Sequence, residues 1–119
     1  LAEDPEFFDN MDEILDVEGL GGVQLGPSDL ALGLGIKETY NFDNPQVKSR
    51  FERLFKKAKE KGIPLMGPIA PPNLERAIEM AENGVRVMTL RNDVTNFKML
   101  LAGLRKDVYI PLKKHFETV

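Results

Sequence analysis

The residues of this sequence best suited to chemistry are Gly26-Pro27-Ser28-Asp29. A short apolar run, Val23-Gln24-Leu25, leads directly into them, and an apolar segment with helical spacing, Leu30, Leu32 and Leu34, follows. That order predicts a strand, a tight turn and a helix start. Gly26 is expected to take backbone angles that other residues avoid, Pro27 fixes the next φ, and Ser28 or Asp29 offers the short oxygen side chain that caps a helix. Unpaired N–H donors and one carboxylate would then gather at the carboxyl end of a strand, where α/β proteins hold ligands. A Ser or Asp ahead of an apolar run also serves as a cap and nothing more, so the turn alone leaves a structural role open.

Three other stretches carry polar or stiff residues at strand ends. Met66-Gly67-Pro68-Ile69-Ala70-Pro71-Pro72 is a proline-dense run suited to a pocket wall or a rigid connector. Arg91-Asn92-Asp93 turns the chain after an apolar run, and Asp93 fits a helix cap. The only histidine, His115, lies near the carboxyl terminus.

The elements that must position these residues alternate. Asp4-Pro5-Glu6 opens a helix whose apolar positions Phe7, Phe8, Met11, Ile14 and Leu15 carry it to about Val17. Val23–Leu25 is the first clear strand, with a possible stub before Glu3. Ile36–Asn44 lacks periodicity and reads as a loop. Asn44-Pro45 opens a helix with Val47, Phe51, Leu54, Phe55 and Ala58 inward, and Gly62 stops it. Its opposite side carries seven Lys and Arg residues, interrupted by Glu52 and Glu60, as a solvated face does. Ile63–Met66 is a second strand, with Pro64 at its start because proline lacks a ladder donor. Asn73–Asn83 is a helix with Leu74, Ala77, Ile78 and Ala81 inward, and Val85–Leu90 is a third strand. Val94, Phe97, Leu100, Leu101 and Leu104 mark the last long helix. Lys106-Asp107 and Pro111 interrupt its period before a short segment, Leu112–Val119.

Strands alternating with helices predict β-α units and a mostly parallel sheet. Three or four such strands leave the sheet unfinished, so the fold class is α/β, a partial (β/α)8 TIM barrel forming a single domain over residues 1–119. With 16 Lys and Arg against 19 Asp and Glu, the net charge is −3, and no basic block matches a nucleic-acid footprint. The absence of cysteine excludes disulfides, thiolate metal sites and cysteine nucleophiles. No apolar run nears the roughly 20 residues that span a bilayer, and a cytoplasmic setting is expected. The chain begins with Leu1 rather than Met, so a processed protein or a piece of a longer one is expected.

The pattern resembles the HpcH/HpaI-type class II pyruvate aldolases, (β/α)8 barrels that use a divalent metal. The likeness runs through Ile14-Leu15-Asp16-Val17-Glu18-Gly19, Gly22-Val23-Gln24-Leu25-Gly26-Pro27-Ser28-Asp29-Leu30, Asn44-Pro45, Gly62, Gly84 and Asp93. It covers the carboxyl-terminal half of the family's barrel. It implies that Asp29 is a metal ligand, partnered by the carboxylate that falls on Glu3, with the neighbouring Asp4 as a possible substitute. Two carboxylates and open water positions suit Mg²⁺ or Mn²⁺ better than zinc. The resemblance further implies that Gly26, Pro27, Ser28 and Asp29 border a bound 2-oxo acid, and that Met66 and Pro68 line the aldehyde side. Arg91 stands where the family often has glycine. The family's catalytic histidine and pyruvate-binding arginine lie on its first strands and have no counterpart here, so no catalytic residue is assigned in this chain.

The expected activity is therefore metal-dependent cleavage of 4-hydroxy-2-oxo acids to pyruvate and an aldehyde, with the isolated chain weakly active or inactive. The alternative is a non-catalytic half-barrel that assembles with itself or with a complementing half, since open parallel sheet edges favour association.

Overall fold

Parallel pairing brings four stretches of chain side by side. In the computed structural model, which describes residues 1–38 and 42–117, β1 (Val23–Gln24), β2 (Leu65–Pro68) and β3 (Val85–Thr89) form one sheet in that order. The stub before Glu3 is real, because Ala2 bridges Leu25 in parallel. Tyr40 and Asn41, in the middle of the predicted loop, and Val119 lie outside the described residues.

Helices cover one face of this sheet. The first helical stretch is split, with α1 (Pro5–Asp9) and α2 (Met11–Leu15) meeting at Asn10. Asn10 leaves the helical region, at φ −102° and ψ 13°, which breaks the single helix expected from periodicity, while its side-chain and backbone amides both donate to the Glu6 carbonyl. After the central turn, α3 (Pro27–Gly33) and then α4 (Pro45–Lys61) pack onto the sheet. Asn44 caps α4 by accepting from the Gln46 amide, and Gly62 ends it in the left-handed region at φ 68°. The core joins Phe8, Met11, Leu30, Val47, Phe51 and Leu54 to Leu25, Leu65 and Val85 of the sheet side. Phe42, at the far end of the predicted loop, also enters this core against Phe51.

The basic side of α4 is largely answered by its neighbours. Lys57 and Lys61 pair with Asp12 and Asp16, Arg53 donates to the Phe8 carbonyl, and Lys48 pairs with Glu52. The hydrogen bond from Lys57 holds the Asp12 carboxyl below the ordinary carboxylate range.

The second half departs from the sequence reading in three places. Strand β2 starts at Leu65 and continues through Gly67 and Pro68, because the Pro64 carbonyl and the amides from Leu65 onward hold the ladder. Helix α5 (Leu74–Glu82) buries Met80, while Leu74 and Ile78, expected inward, are 76% and 49% exposed. It lies over β3, the last strand, so its outer side has no second layer to meet. Helix α6 (Asp93–Leu104) continues through a π-helical turn (Arg105–Tyr109) into α7 (Ile110–Glu117). The wider turn carries the chain past Pro111, which lacks an N–H and would crowd an ordinary helix, so the expected interruption becomes a bulge. None of these three segments buries a residue, and Val94, Phe97, Leu100, Leu101 and Leu104 all face solvent. The helix projects, giving overall extents of 70 × 28 × 21 Å. Among the described residues no helix is long and apolar enough to cross a membrane.

Candidate active site at the carboxyl edge of the sheet

All strands run the same way, so their carboxyl ends share one edge, and the turn Gly26–Asp29 sits there after β1. The Gly26 amide donates to the Ala2 carbonyl at 3.0 Å, and the Ala2 amide donates to the Gln24 carbonyl at 2.8 Å. These two bonds bring Glu3 against Gly26. A Cβ on Gly26 would lie 2.4 Å from the Glu3 Cβ, 3.0 Å from Oε2 and 3.2 Å from Cα. The glycine is therefore required by close approach and not by its dihedrals, since φ is an ordinary −116°.

The helix start also differs from expectation. Gly26 occupies the cap position, Pro27 the first helical position, and neither Ser28 nor Asp29 makes a capping bond. The first helical hydrogen bond runs from the Leu30 amide to the Gly26 carbonyl, which leaves the Ser28 and Asp29 amides ahead of the ladder. The Asp29 carboxylate is exposed, Ser28 and Gly26 are half-buried and Pro27 is buried. The side chains of Asp29 and the half-buried Glu3 make no hydrogen bond or ion pair with the described residues. Asp4 is different, because its carboxylate accepts from the Phe7 amide at 2.7 Å and caps α1. One of its two oxygens is thereby engaged.

Among the described residues no group of three or more His, Cys, Asp or Glu could hold a metal ion. The oxygen donors at this edge include these two carboxylates, which have no partner among the described residues, with Glu3 seated directly against Gly26. That donor set fits a hard divalent cation completed by water or substrate oxygens.

Met66 and Pro68 alternate along β2 and are half-buried on the sheet's open side. Gly67 points the other way, where a Cβ would meet the Leu25 side chain at 2.8 Å. Beyond them, a cavity of about 440 Å³ opens between the carboxyl ends of β2 and β3. Pro68 lines it, whereas Met66 and the Gly26–Asp29 turn do not. Arg91, Asn92 and Thr95 line it as well, and this opening escaped the sequence reading because its walls come from two separated loops. Asn92, not Asp93, caps α6, accepting from the Thr95 amide at 2.8 Å. The Asp93 carboxylate accepts from the adjacent Val94 amide. His115 sits on α7, exposed, with its ring edge-on to Phe116.

Strand–helix alternation and one-way pairing define part of a (β/α)8 barrel. The HpcH/HpaI aldolase/citrate lyase family pattern matches residues 3–100, and the chain belongs to this family. A 5-keto-4-deoxy-D-glucarate aldolase of Escherichia fergusonii is 36% identical over 90 residues, which is 76% of this chain and 34% of that protein. A 2-keto-3-deoxy-L-rhamnonate aldolase of Escherichia coli is 40% identical over 61 residues, 51% of this chain and 22% of its own length. The crystal structure of an HpcH/HpaI aldolase from Desulfitobacterium hafniense superposes with a TM-score of 0.74 at 25% identity, covering 89% of this chain and 40% of that one. The chain spans about a third of the length of the first curated relatives it matches.

Proposed function

We propose that residues 1–119 act as one unit, the metal-binding side of a class II aldolase barrel that cleaves 4-hydroxy-2-oxo acids to pyruvate and an aldehyde. What supports this reading is Glu3 and Asp29, two carboxylates without partners among the described residues, one seated against Gly26 and the other three residues after it in the same turn. They would hold Mg²⁺ or Mn²⁺, which when bound supplies positive charge to the carboxylate and keto oxygens of a 2-oxo acid. The Ser28 and Asp29 amides, ahead of the helical ladder, are donors for the same acid's carboxylate, while Pro27 contributes none. Pro68 and Met66 shape the side facing the aldehyde portion.

Binding is the direct test. Mn²⁺ added to the chain with pyruvate should give a saturable enhancement of water proton relaxation, lost in Asp29→Asn and weakened in Glu3→Gln. Equal Mn²⁺ response in wild type and both variants removes the basis of the assignment. Robust turnover of a 4-hydroxy-2-oxo diacid by the 119-residue chain alone would contradict the view that it supplies only part of the site.

The second reading, a half-barrel that assembles with itself or a complementing half, is favoured by one feature. The helix from Asp93 to Glu117 leaves its apolar side chains in solvent, more apolar surface than a monomer ordinarily shows in one element. The two readings are compatible, and we propose that the chain self-associates through this helix.

A further inference from the structure

We propose that Arg76 is a positioning residue for the aldehyde side of the site, tying the connection after β2 to the connection after α3 so that the wall at residues 69–72 keeps a fixed spacing from the Gly26–Asp29 turn. This rests on the aldolase reading above and names the device that sets the fit of the substrate's far portion.

The wall has two different sides. Pro68, Ile69, Ala70 and Pro72 line the cavity of about 440 Å³, whereas Pro71 and Asn73 face a groove in which Arg76 meets Asp43. One end of the wall is fixed by the Ile69 amide, which donates to the Thr89 carbonyl at 2.9 Å. At the other end the Asn73 backbone amide donates to the Pro71 carbonyl at 2.9 Å, and the Asn73 side chain accepts from the Arg76 amide at 2.8 Å. These bonds tie the wall to β3 and α5. The tie toward α3 and α4 is the Arg76 guanidinium, whose side chain is only 15% exposed. Its Nη2 donates to both Asp43 oxygens, at 3.1 and 3.2 Å, and its Nη1 donates to Glu79 at 3.0 Å. Asp43 is itself held from both sides, because Phe42 is buried against Phe51 and Asn44 caps α4. Charge-assisted bonds to a carboxylate anchored in this way are among the stronger ones a side chain makes.

Topology puts this tie on the edge that holds the site. Asp43 lies in the connection leading from β1 through α3 to α4, and residues 69–73 in the one from β2 to α5, so both follow the carboxyl ends of strands. The Lys61–Asp16 pair, by contrast, joins segments that lead into β1 and β2 at the opposite edge. Because β1 and β2 are neighbours, the wall begins one strand spacing, roughly 4.8 Å, from the strand that ends in the Gly26–Asp29 turn. Glu79 shares a helix with Arg76 and balances its charge locally. Of the two acids, Asp43 is the one through which position is transmitted between the connections.

The test compares affinities of the Mg²⁺-saturated chain for pyruvate and for 2-oxohexanoate, a probe with a longer tail and no 4-hydroxyl to permit cleavage, by calorimetry or amide chemical shifts. Arg76→Leu and Asp43→Asn should each weaken 2-oxohexanoate relative to pyruvate by roughly fivefold, about what a partly exposed ion pair is worth. Glu79→Gln should leave that ratio unchanged. Arg76→Lys, which keeps the charge but not the planar donor group, should fall between wild type and Arg76→Leu. Because the readout is a ratio, a general loss of stability lowers both affinities together and does not imitate the effect. A ratio unmoved by Arg76→Leu, or moved as far by Glu79→Gln as by Asp43→Asn, overturns the positioning role and leaves the aldolase reading standing. Absence of any Mg²⁺-dependent binding of pyruvate overturns the aldolase reading and this inference with it.

Discussion

The substitution Gly26→Ala tests the geometry on which the site depends. The added methyl would lie 2.4 Å from the Glu3 Cβ and 3.2 Å from its Cα, so the stub must move by about 1 Å to restore ordinary contact. That movement strains the bonds on either side, Ala2 amide to Gln24 carbonyl at 2.8 Å and Gly26 amide to Ala2 carbonyl at 3.0 Å, each worth about 1 kcal/mol. It also disturbs Ala2, which is fully buried. With about 1–3 kcal/mol for overpacking, the expected loss is about 2–4 kcal/mol, or roughly 10 °C in Tm. Urea and thermal unfolding would measure it. Gly21→Ala is the control, with nothing within 4 Å of its Cβ, and should stay within about 0.5 kcal/mol. Displacing Glu3 should also weaken Mn²⁺ binding on the order of tenfold. Glu3→Gly removes the Cβ that the new methyl strikes, so the double variant should be less destabilised than the sum of the singles. A Gly26→Ala variant with wild-type stability and Mn²⁺ affinity would refute the argument.

Further outcomes follow from other contacts. Asn73→Ala removes the side chain that accepts from the Arg76 amide at 2.8 Å and should cost about 1 kcal/mol in urea unfolding. Lys57→Met should raise the Asp12 pKa toward the ordinary 3.8, as followed by carboxyl NMR. Since the folded-state value is lowered, the stability from this pair is present above that ordinary value and is lost as pH falls through the lower, folded one. Sedimentation should show association that rises with concentration and falls in Phe97→Glu, whose side chain is 61% exposed, and a wild-type monomer at all concentrations would contradict self-association.

How far the sequence could be read depended on whether a residue's partners lie within its own segment. Asn44 with Pro45, and Gly62 after an amphipathic run, announce a helix locally, and α4 has those ends. The stub at Ala2 and the place of Asp29 at a strand's carboxyl end followed from the alternation of elements. Local rules misled where a distant segment decides. Gly26 is glycine because of Glu3, which no turn preference reveals. α1 parts from α2 at Asn10, whose backbone leaves the helical region where apolar periodicity sees no change. Leu74, Phe97 and Leu104 sit on periodic stripes that imply a buried face, yet the sheet ends at β3 and nothing among the described residues covers them. The cavity beside Arg91 depends on two loops separated by helix α5, so its polar group was visible in sequence but its enclosure was not.

The projecting helix divides the chain into parts whose backbone protons answer to different processes. From Asp93 to Glu117 it is about 37 Å of helix, and its side chains gain little from the body. The radius of gyration, 19.0 Å, exceeds the roughly 13–14 Å of a packed domain of this length. A lone helix draws most of its stability from packing. Its amides should therefore exchange with deuterium at a rate governed by how often a neighbour shelters them, whereas those of β2 exchange only when the sheet itself opens.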